Sequence, residues 1–423
     1  MKTLIVFILF VGRLAYSQQH LPQAAEGWQK QESGTQENLK WVRFFSHTNG
    51  WAVGEQGNAY RTTNAGEQWI LHIPPAGYEF QYFMNETTAF ANGTSPDQLH
   101  STIIRTTDMG QSWSEPDSYD RELTAHPDMA NIGDTVFQLN DQNFLRSFDG
   151  GKSWGKTFSA ISYETSCTFT DGKKGYAVGL KIPSSHGSNQ YGGFAFTTNS
   201  GGEWHAVESL LGHDLFDICA VGNKLFTVGT EELLAYSTSA GAFWDKIPPI
   251  DNTNQVYKSI TFSDPRNGTV VGSGGYVLRT TDGGITWNRQ QSNVGQWLLS
   301  VSFVDSVTGW AVGNSGTIIH TSNGGQSSVL PQLPGLETIP SQVFPQPNSG
   351  IMNLSFVLPS PQHLTLEIFS VSGSMIQMVM DSEYRTAGEH TIPIQLPQLA
   401  SGQYSYRIRT STYQSVGYFT IVK

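Results

Sequence analysis

Short runs of alternating apolar and polar residues follow one another along the first three quarters of the chain, broken by Gly, Asn, Asp and Pro. VRFF from Val42, CTFT from Cys167, ITFS from Ile260 and VSFV from Val301 have the two-residue period of half-buried strands. A second kind of run comes after each: GWAVG at Gly50–Gly54 and Gly309–Gly313, GYAVG at Gly175–Gly179, FTVG at Phe226–Gly229 and GTVVG at Gly268–Gly272. A third strand and a glycine-containing turn complete the unit before an outer strand begins. The pattern predicts four antiparallel strands per unit, joined by turns with the residues that hairpins require.

The unit recurs. RTTNAGEQW, RTTDMGQSW, RSFDGGKSW, FTTNSGGEW, YSTSAGAFW and RTTDGGITW end at Trp69, Trp113, Trp154, Trp204, Trp244 and Trp287, and HTSNGGQSS ends at Ser328. The shared glycines, Gly66, Gly110, Gly151, Gly201, Gly241, Gly284 and Gly325, are spaced by 44, 41, 50, 40, 43 and 41 residues. Such a period with several short strands per unit is the signature of a β-propeller blade. In the box, Asn64, Asp108, Asp149, Asn199, Asp282 and Asn323 can accept backbone N–H bonds inside the turn. The glycine supplies a positive φ, and the tryptophan folds back between blades. Burying one indole contributes on the order of 4–6 kcal/mol, from roughly 150–250 Å² at about 25 cal/mol/Å². The boxes are therefore read as structure; a calcium loop needs a denser set of oxygen ligands.

The last box has Ser328 where the others have tryptophan. At the other end of the repeat region Trp28 stands 16 residues before Phe44, and Trp287 stands 16 residues before Phe303. Trp28 is thus assigned to the tryptophan position of the seventh box. The predicted fold class is all-β: a seven-bladed propeller over residues 25–330, with the strand after Trp28 pairing beside Thr317–His320. Closure of this kind removes the exposed sheet edges.

Beyond Ser328 a Pro- and Gln-rich linker is expected at 331–340. IMNLSFVL, LTLEIFSVSG, HTIPIQL, GQYSYRIRT and VGYFTIVK then alternate like strands of a small antiparallel sandwich over 341–423.

Two resemblances follow from these motifs. The box resembles the Asp-box of bacterial neuraminidase repeats, and GWAVG followed by RTTDGGITW is similar to photosystem II stability/assembly factor-like propellers. That likeness implies a non-enzymatic assembly or binding scaffold and does not supply the partner. The tail, with Pro345 and Pro347, IFSVSG, LASGQY and the terminal lysine, resembles the type A sorting domain of type IX secretion. It implies recognition of residues 341–423 by outer-membrane secretion machinery of a Gram-negative bacterium.

Composition adds the compartment. Lys2, the short apolar run Leu4–Val11 and Ala15-Tyr16-Ser17 read as a signal peptide over residues 1–17, too short to span a bilayer. The expected location is the cell surface or the medium, with the periplasm in transit. No later stretch is long and apolar enough to span. The formal charge of −11 argues against nucleic-acid binding, which runs on phosphate attraction. Cys167 and Cys219 are the only cysteines, and the sequence leaves a disulfide and two free thiols both open.

Candidate chemistry is sparse. Arg61, Arg105, Arg146 and Arg279 each stand just before a box, so a propeller sets them around one rim. The ring is either an anion-binding surface or four local pairings with box carbonyls and tryptophans; local pairing is favoured because it repeats with the motif. The opposite end has two longer loops, in GTSPDQLHST and LKIPSSHGSNQYGG. The ligand face is placed there: Tyr78, Phe80, Asp117, Tyr119, Arg121, His126, Tyr163, His186, Tyr191, Asp214, Tyr257 and Trp297. Aromatics beside carboxylates suit a protein or glycan partner. The competing class is a secreted sialidase- or xyloglucanase-like glycosidase, with Asp117 and Asp214 as its candidate carboxylate pair, a role that requires a separation of about 5–10 Å. The Phe-Arg-Ile-Pro signature of sialidases is absent, and no cofactor or metal site is expected.

Overall fold

A computed structural model describes residues 27–94, 101–117, 129–140, 143–158, 164–180, 193–207, 212–251, 253–325, 336–345, 348–370, 375–396, 398–400 and 402–422. The expected signal peptide, Ser328 and both inserted loops lie outside these residues.

The repeats fold as seven small antiparallel sheets among the described residues. The first sheet takes Leu39–Phe44, Gly50–Gly54, Ala59–Thr62 and Ile70–His72 in that order. The third runs Met129–Ile132 to Gly155–Phe158, the fourth Glu164–Phe169 to His205–Val207, the fifth Leu215–Val221 to Asp245–Lys246 and the sixth Tyr257–Phe262 to Asn288–Gln290. The second departs from the expected four strands. It has Tyr78–Phe83, Ala89–Thr94 and Ser101–Thr106, and among the described residues the chain after its box pairs with it through an Arg105–Ser114 bridge.

The seventh sheet is assembled from both ends of the repeat region. Leu298–Phe303, Gly309–Gly313 and Ile318–Thr321 are joined by Gln29–Gln31, with Gln29 opposite His320 and Gln31 opposite Ile318. That is the register of the sixth sheet, where Asn288, next after its box tryptophan, lies opposite Arg279. Trp28 is fully buried, and a Cβ on Gly325 would collide with its ring. The ring meets Phe303 edge-on at 5.8 Å, and its Nε1 donates to Gln290 Oε1 at 2.9 Å.

Neighbouring sheets are fastened by the GWAVG tryptophans, a role not read from the sequence. Trp310 Nε1 donates to the Ala65 carbonyl in the first sheet's box at 3.0 Å, and its ring stacks on Phe44. Trp51 Nε1 donates to the Glu86 carbonyl of the second sheet at 3.2 Å. The leading glycine of that motif has a steric reason. Phe44 lies opposite Gly50 and its ring covers it, so a Cβ there would sit 2.6 Å from the ring.

The tail forms a five-stranded sheet, Glu337–Thr338, Tyr413–Ile421, Gly402–Arg409, Gln362–Ser370 and Met375–Arg385, and a three-stranded sheet, Ser341–Phe344, Ile351–Leu358 and Gly388–Gln395. Leu354, Phe356, Leu366, Ile368, Ile408 and Phe419 meet in its core. Glu337 pairs with Tyr413 and Ile339 is buried in this core, so the tail's packing takes in residues of the expected linker.

Candidate functional site

At the box end of the sheets the turn hydroxyls and the Asp and Asn side chains are bonded within the fold. In the first box Thr62 Oγ1 donates to Asn64 Oδ1 at 2.9 Å and accepts from Gly66 N at 2.8 Å, and Asn64 Oδ1 accepts from Gln68 N. The same hydroxyl pattern recurs at Thr106, Ser147, Thr197, Ser237, Thr280 and Thr321, all buried. These hydroxyls are the residues the sequence reading passed over; they repeat as faithfully as the glycine. The Ser112 hydroxyl and backbone N–H and the Thr106 hydroxyl pull the Asp108 carboxyl down to about 2. Burial pushes Asp149 up, but Ser153, Ser147 and Lys152 donate to it and hold it at about 2.

The box tryptophans Trp69, Trp154, Trp204 and Trp287 are buried, and Trp113 and Trp244 half-buried. Each meets a phenylalanine, as Trp69 meets Phe44 at 5.9 Å and Trp287 meets Phe262 at 6.0 Å, both edge-on.

Three of the four arginines lie along aromatic rings. Arg61 lies over Trp51. Arg146 donates to the Ser200 carbonyl in the next sheet's box at 3.1 Å and lies over Phe148. Arg279 is buried, donates to Thr269 Oγ1 at 2.7 Å and to the Ser306 carbonyl, and lies over Phe303; burial brings it down to about 10. Arg105 packs toward Gly150 and Gly151 of the third sheet's box. His320, the arginine's counterpart in the seventh unit, stacks on Trp310 at 4.6 Å, and burial pushes its imidazole down to about 4.

The opposite end is differently built. In six sheets the first strand has a register shift, at its second residue in five and at its fourth in Tyr78–Phe83, so that an extra residue stands out from the pairing: Lys40, Gln81, Thr165, Phe216, Lys258 and Leu299. Several reach across to the next sheet. Lys40 Nζ donates to Gln81 Oε1 at 3.5 Å, and Thr165 Oγ1 to the Leu215 carbonyl at 2.7 Å. Lys258 Nζ sits 3.5 Å above the Phe216 ring and 5.9 Å from Trp297. Burial lowers the Lys40 and Lys258 ammonium groups, against the opposing pull of Glu79, Glu55 and Glu37 on the first and Asp214 on the second.

The sequence-derived ligand face is only partly assembled. Trp297 is 39 % exposed beside Lys258, and Asp214 acts on the same lysine. Asp117 is exposed, its N–H donating to the Lys152 carbonyl. Tyr78 is half-buried at the start of the second sheet. Two assignments are corrected: Tyr257 and Phe80 are each 1 % exposed and belong to inter-sheet cores, because both sit inside first strands and not in the loops before them. Tyr119, Arg121, His126, Tyr163, His186 and Tyr191 lie outside the described residues. Among the described residues no group of three His, Cys, Asp or Glu could hold a metal ion.

First strands are also tied laterally. Asp217 Oδ1 accepts from Ser166 Oγ at 2.7 Å and Ile218 N at 2.8 Å, and its Oδ2 from Ser259 Oγ at 2.9 Å and Ile260 N at 2.8 Å, joining the fourth, fifth and sixth sheets. Burial pushes this carboxyl up while the four donors oppose it. The two cysteines are not joined in a disulfide and pack in different clusters, Cys167 with Phe144 and Trp204, Cys219 with Ile260 and Trp287.

Residues 249–343 match the family model of the photosynthesis system II assembly factor YCF48, and residues 342–422 match that of the secretion system C-terminal sorting domain. The chain couples a YCF48-like propeller to a type IX sorting tail. Among solved structures, YCF48 bound to a D1 peptide is 18 % identical with a TM-score of 0.57, over 70 % of this chain and 95 % of that one. The GH74 enzyme of Niastella koreensis is 13 % identical (TM-score 0.54; 93 % and 73 % covered), and PorZ of Porphyromonas gingivalis, a surface component of the type IX secretion system, 12 % identical (TM-score 0.51; 92 % and 60 %). At these identities the likeness extends to the fold alone. No curated protein sequence matches the chain. The sorting tail marks the YCF48-like chain as a secreted or cell-surface protein. No helix among its described residues is long and apolar enough to cross a membrane.

Proposed function

We propose that the seven sheets are blades of one propeller, spanning about residues 25–330 and closed by Gln29–Gln31, behind a signal peptide at 1–17. In this reading the propeller is an exported, non-enzymatic scaffold that binds a protein partner at the end opposite the boxes. Residues 341–423 address it to the outer-membrane secretion machinery. The observation that carries the reading is the cluster at the start of the first strands. A bulge in each of six sheets turns one extra side chain out of the ladder, and Lys258, Phe216 and the exposed Trp297 meet there. Exposed indole beside a half-buried cation is the material of binding hot spots. The box end offers less, since its carboxylates and two of its arginines are bonded within the fold. That YCF48 is known bound to a peptide supports a peptide segment as the ligand class.

Peptide and glycan arrays probed with the mature protein test the reading. Peptide binding that weakens about tenfold or more in Lys258→Ala and Trp297→Ala, with melting temperature unchanged, is the expected result. Binding insensitive to both variants would place the site elsewhere. Hydrolysis of arrayed glycans, lost in Asp117→Asn or Asp214→Asn, would replace the scaffold reading by a glycosidase.

A further inference from the structure

The second residue after each box tryptophan holds the same place in its outer strand. It is Leu71 in the first sheet and Lys156, Ala206, Lys246 and Arg289 in the third to sixth. It is Lys30 in the strand that completes the seventh sheet, and Glu115 in the chain after the second box. Arg105 and Ser114 exchange both main-chain bonds, and Ile247 N donates to the Leu234 carbonyl, so the first and third residues of an outer strand pair inward. The second residue therefore turns its N–H and C=O away from the sheet. A charge there guards the edge against pairing with another chain. Lys30, Glu115, Lys156, Lys246 and Arg289 supply one, and Ala206 is small; Leu71 is large and apolar.

The residues around Leu71 are apolar too. Ile70 is 54 %, Leu71 50 % and Ile73 72 % exposed, while the His72 ring packs against Trp51 at 4.8 Å. Ile70, Leu71 and His72 lie opposite Arg61, Tyr60 and Ala59, so the strand is in register with its own sheet and shows its outer side to solvent. Alternation puts the side chains of Leu71 and Ile73 on one face and their main-chain groups on the outer side. Isolated exposed apolar residues are ordinary; three within four positions of an edge strand mark a contact surface.

This edge is complementary to itself. In an antiparallel pair, outward main-chain groups must meet outward groups. A two-fold axis at His72 sets Leu71 opposite Ile73 of a second copy, and Ile73 opposite its Leu71, giving two fully bonded residue pairs and two Leu–Ile side-chain contacts. The neighbouring registers do worse. Leu71 opposite itself would bring Trp69, buried in the box, against Ile73. Ile73 opposite itself would bring Leu71 against Pro75, which has no N–H to give.

We propose that the outer edge of Ile70–Ile73 is a self-association site, through which two copies of this chain join their first sheets into one continuous sheet about a two-fold axis at His72. Such a contact closes on itself and stops at the dimer. Four residues a side are far fewer than the roughly 20–30 of a stable interface, so the dimer is weak and depends on concentration.

Sedimentation velocity on the full mature chain tests this. Over about 5–500 µM the protein is expected to shift from monomer toward dimer. Leu71→Lys, which restores the charge that Lys30 and Lys246 carry, is expected to remain monomeric with its melting temperature unchanged. His72→Cys, in a Cys167→Ser/Cys219→Ser background, is expected to form a disulfide between copies, since residues opposite at an unbonded position lie about 4.5 Å apart. A monomer at every concentration overturns the proposal. So does a dimer that Leu71→Lys leaves intact or that His72→Cys does not cross-link. Slowed exchange of the Leu71 amide by an arrayed peptide, in a protein that stays monomeric, would give the edge to a partner's strand and overturn self-association.

Discussion

Replacing Trp28 by alanine is the most informative single perturbation. The ring is fully buried, meets Phe303 edge-on at 5.8 Å and donates to Gln290 Oε1. Removing an aromatic side chain from a core costs about 3–5 kcal/mol, and leaving the Gln290 carbonyl oxygen unpaired adds about 1 kcal/mol or more. Trp28 also leads into the strand that completes the seventh sheet, whose other ties include its pairing with Ile318–His320 and the Gln31 bond to the Ala65 carbonyl. The expected loss is about 4–6 kcal/mol, comparable to Trp69→Ala within the first sheet, and a fall in melting temperature of roughly 6–10 °C for a domain of this size. Calorimetry on mature protein measures it, with Trp297→Ala, a 39 % exposed ring, as the control expected to cost under about 1 kcal/mol. A Trp28→Ala loss as small as the control's would mean that the N-terminal strand does not belong to the core.

The other predictions concern charge and fastening. The folded carboxyls of Asp108 and Asp149 titrate near 2, below the ordinary 3.8, so their contribution is present above about pH 4 and is lost as pH falls toward 2. Asp108→Asn/Asp149→Asn should flatten that acid limb of the stability profile and leave neutral-pH stability little changed, since other boxes use Asn64, Asn199 and Asn323; an unaltered limb contradicts the assignment. Asp217→Asn turns one acceptor arm into a donor facing other donors, and should lower stability by about 2–4 kcal/mol in chemical denaturation; a neutral result would show that the lateral tie between sheets is dispensable. Both thiols should stay unreactive toward a maleimide until the protein unfolds, since burial raises Cys219 to about 12 and Cys167 is buried; rapid labelling of native protein would contradict their packing.

What could be read from the sequence follows its periodicity. The box residues repeat at fixed offsets, so their turn chemistry and the displaced Trp28 stood out before any coordinates. The bulges did not. Lys40, Phe216 and Lys258 are ordinary second residues of a strand, and a two-against-one pairing is a backbone event with no residue signature. Tyr257 was misplaced for a related reason: where a loop ends and a strand begins decides between surface and core, and strand boundaries shift by a residue or two without changing the alternation. That the second sheet's pairing after its box is a single Arg105–Ser114 bridge among the described residues was hidden by an intact box, RTTDMGQSW, whose local chemistry forms whatever follows it.

The pairing of the chain's N-terminal strand with the seventh sheet is tested most directly by a cross-link. Gln29→Cys with His320→Cys, in a Cys167→Ser/Cys219→Ser background, puts two thiols on directly opposed residues, within the Cα separation of about 4.4–6.8 Å that a disulfide spans. Quantitative disulfide formation under mild oxidation, seen as a shift in non-reducing electrophoresis and a raised melting temperature, is the predicted result. Free thiols in the folded, oxidised protein would show that the two ends of the repeat region do not meet.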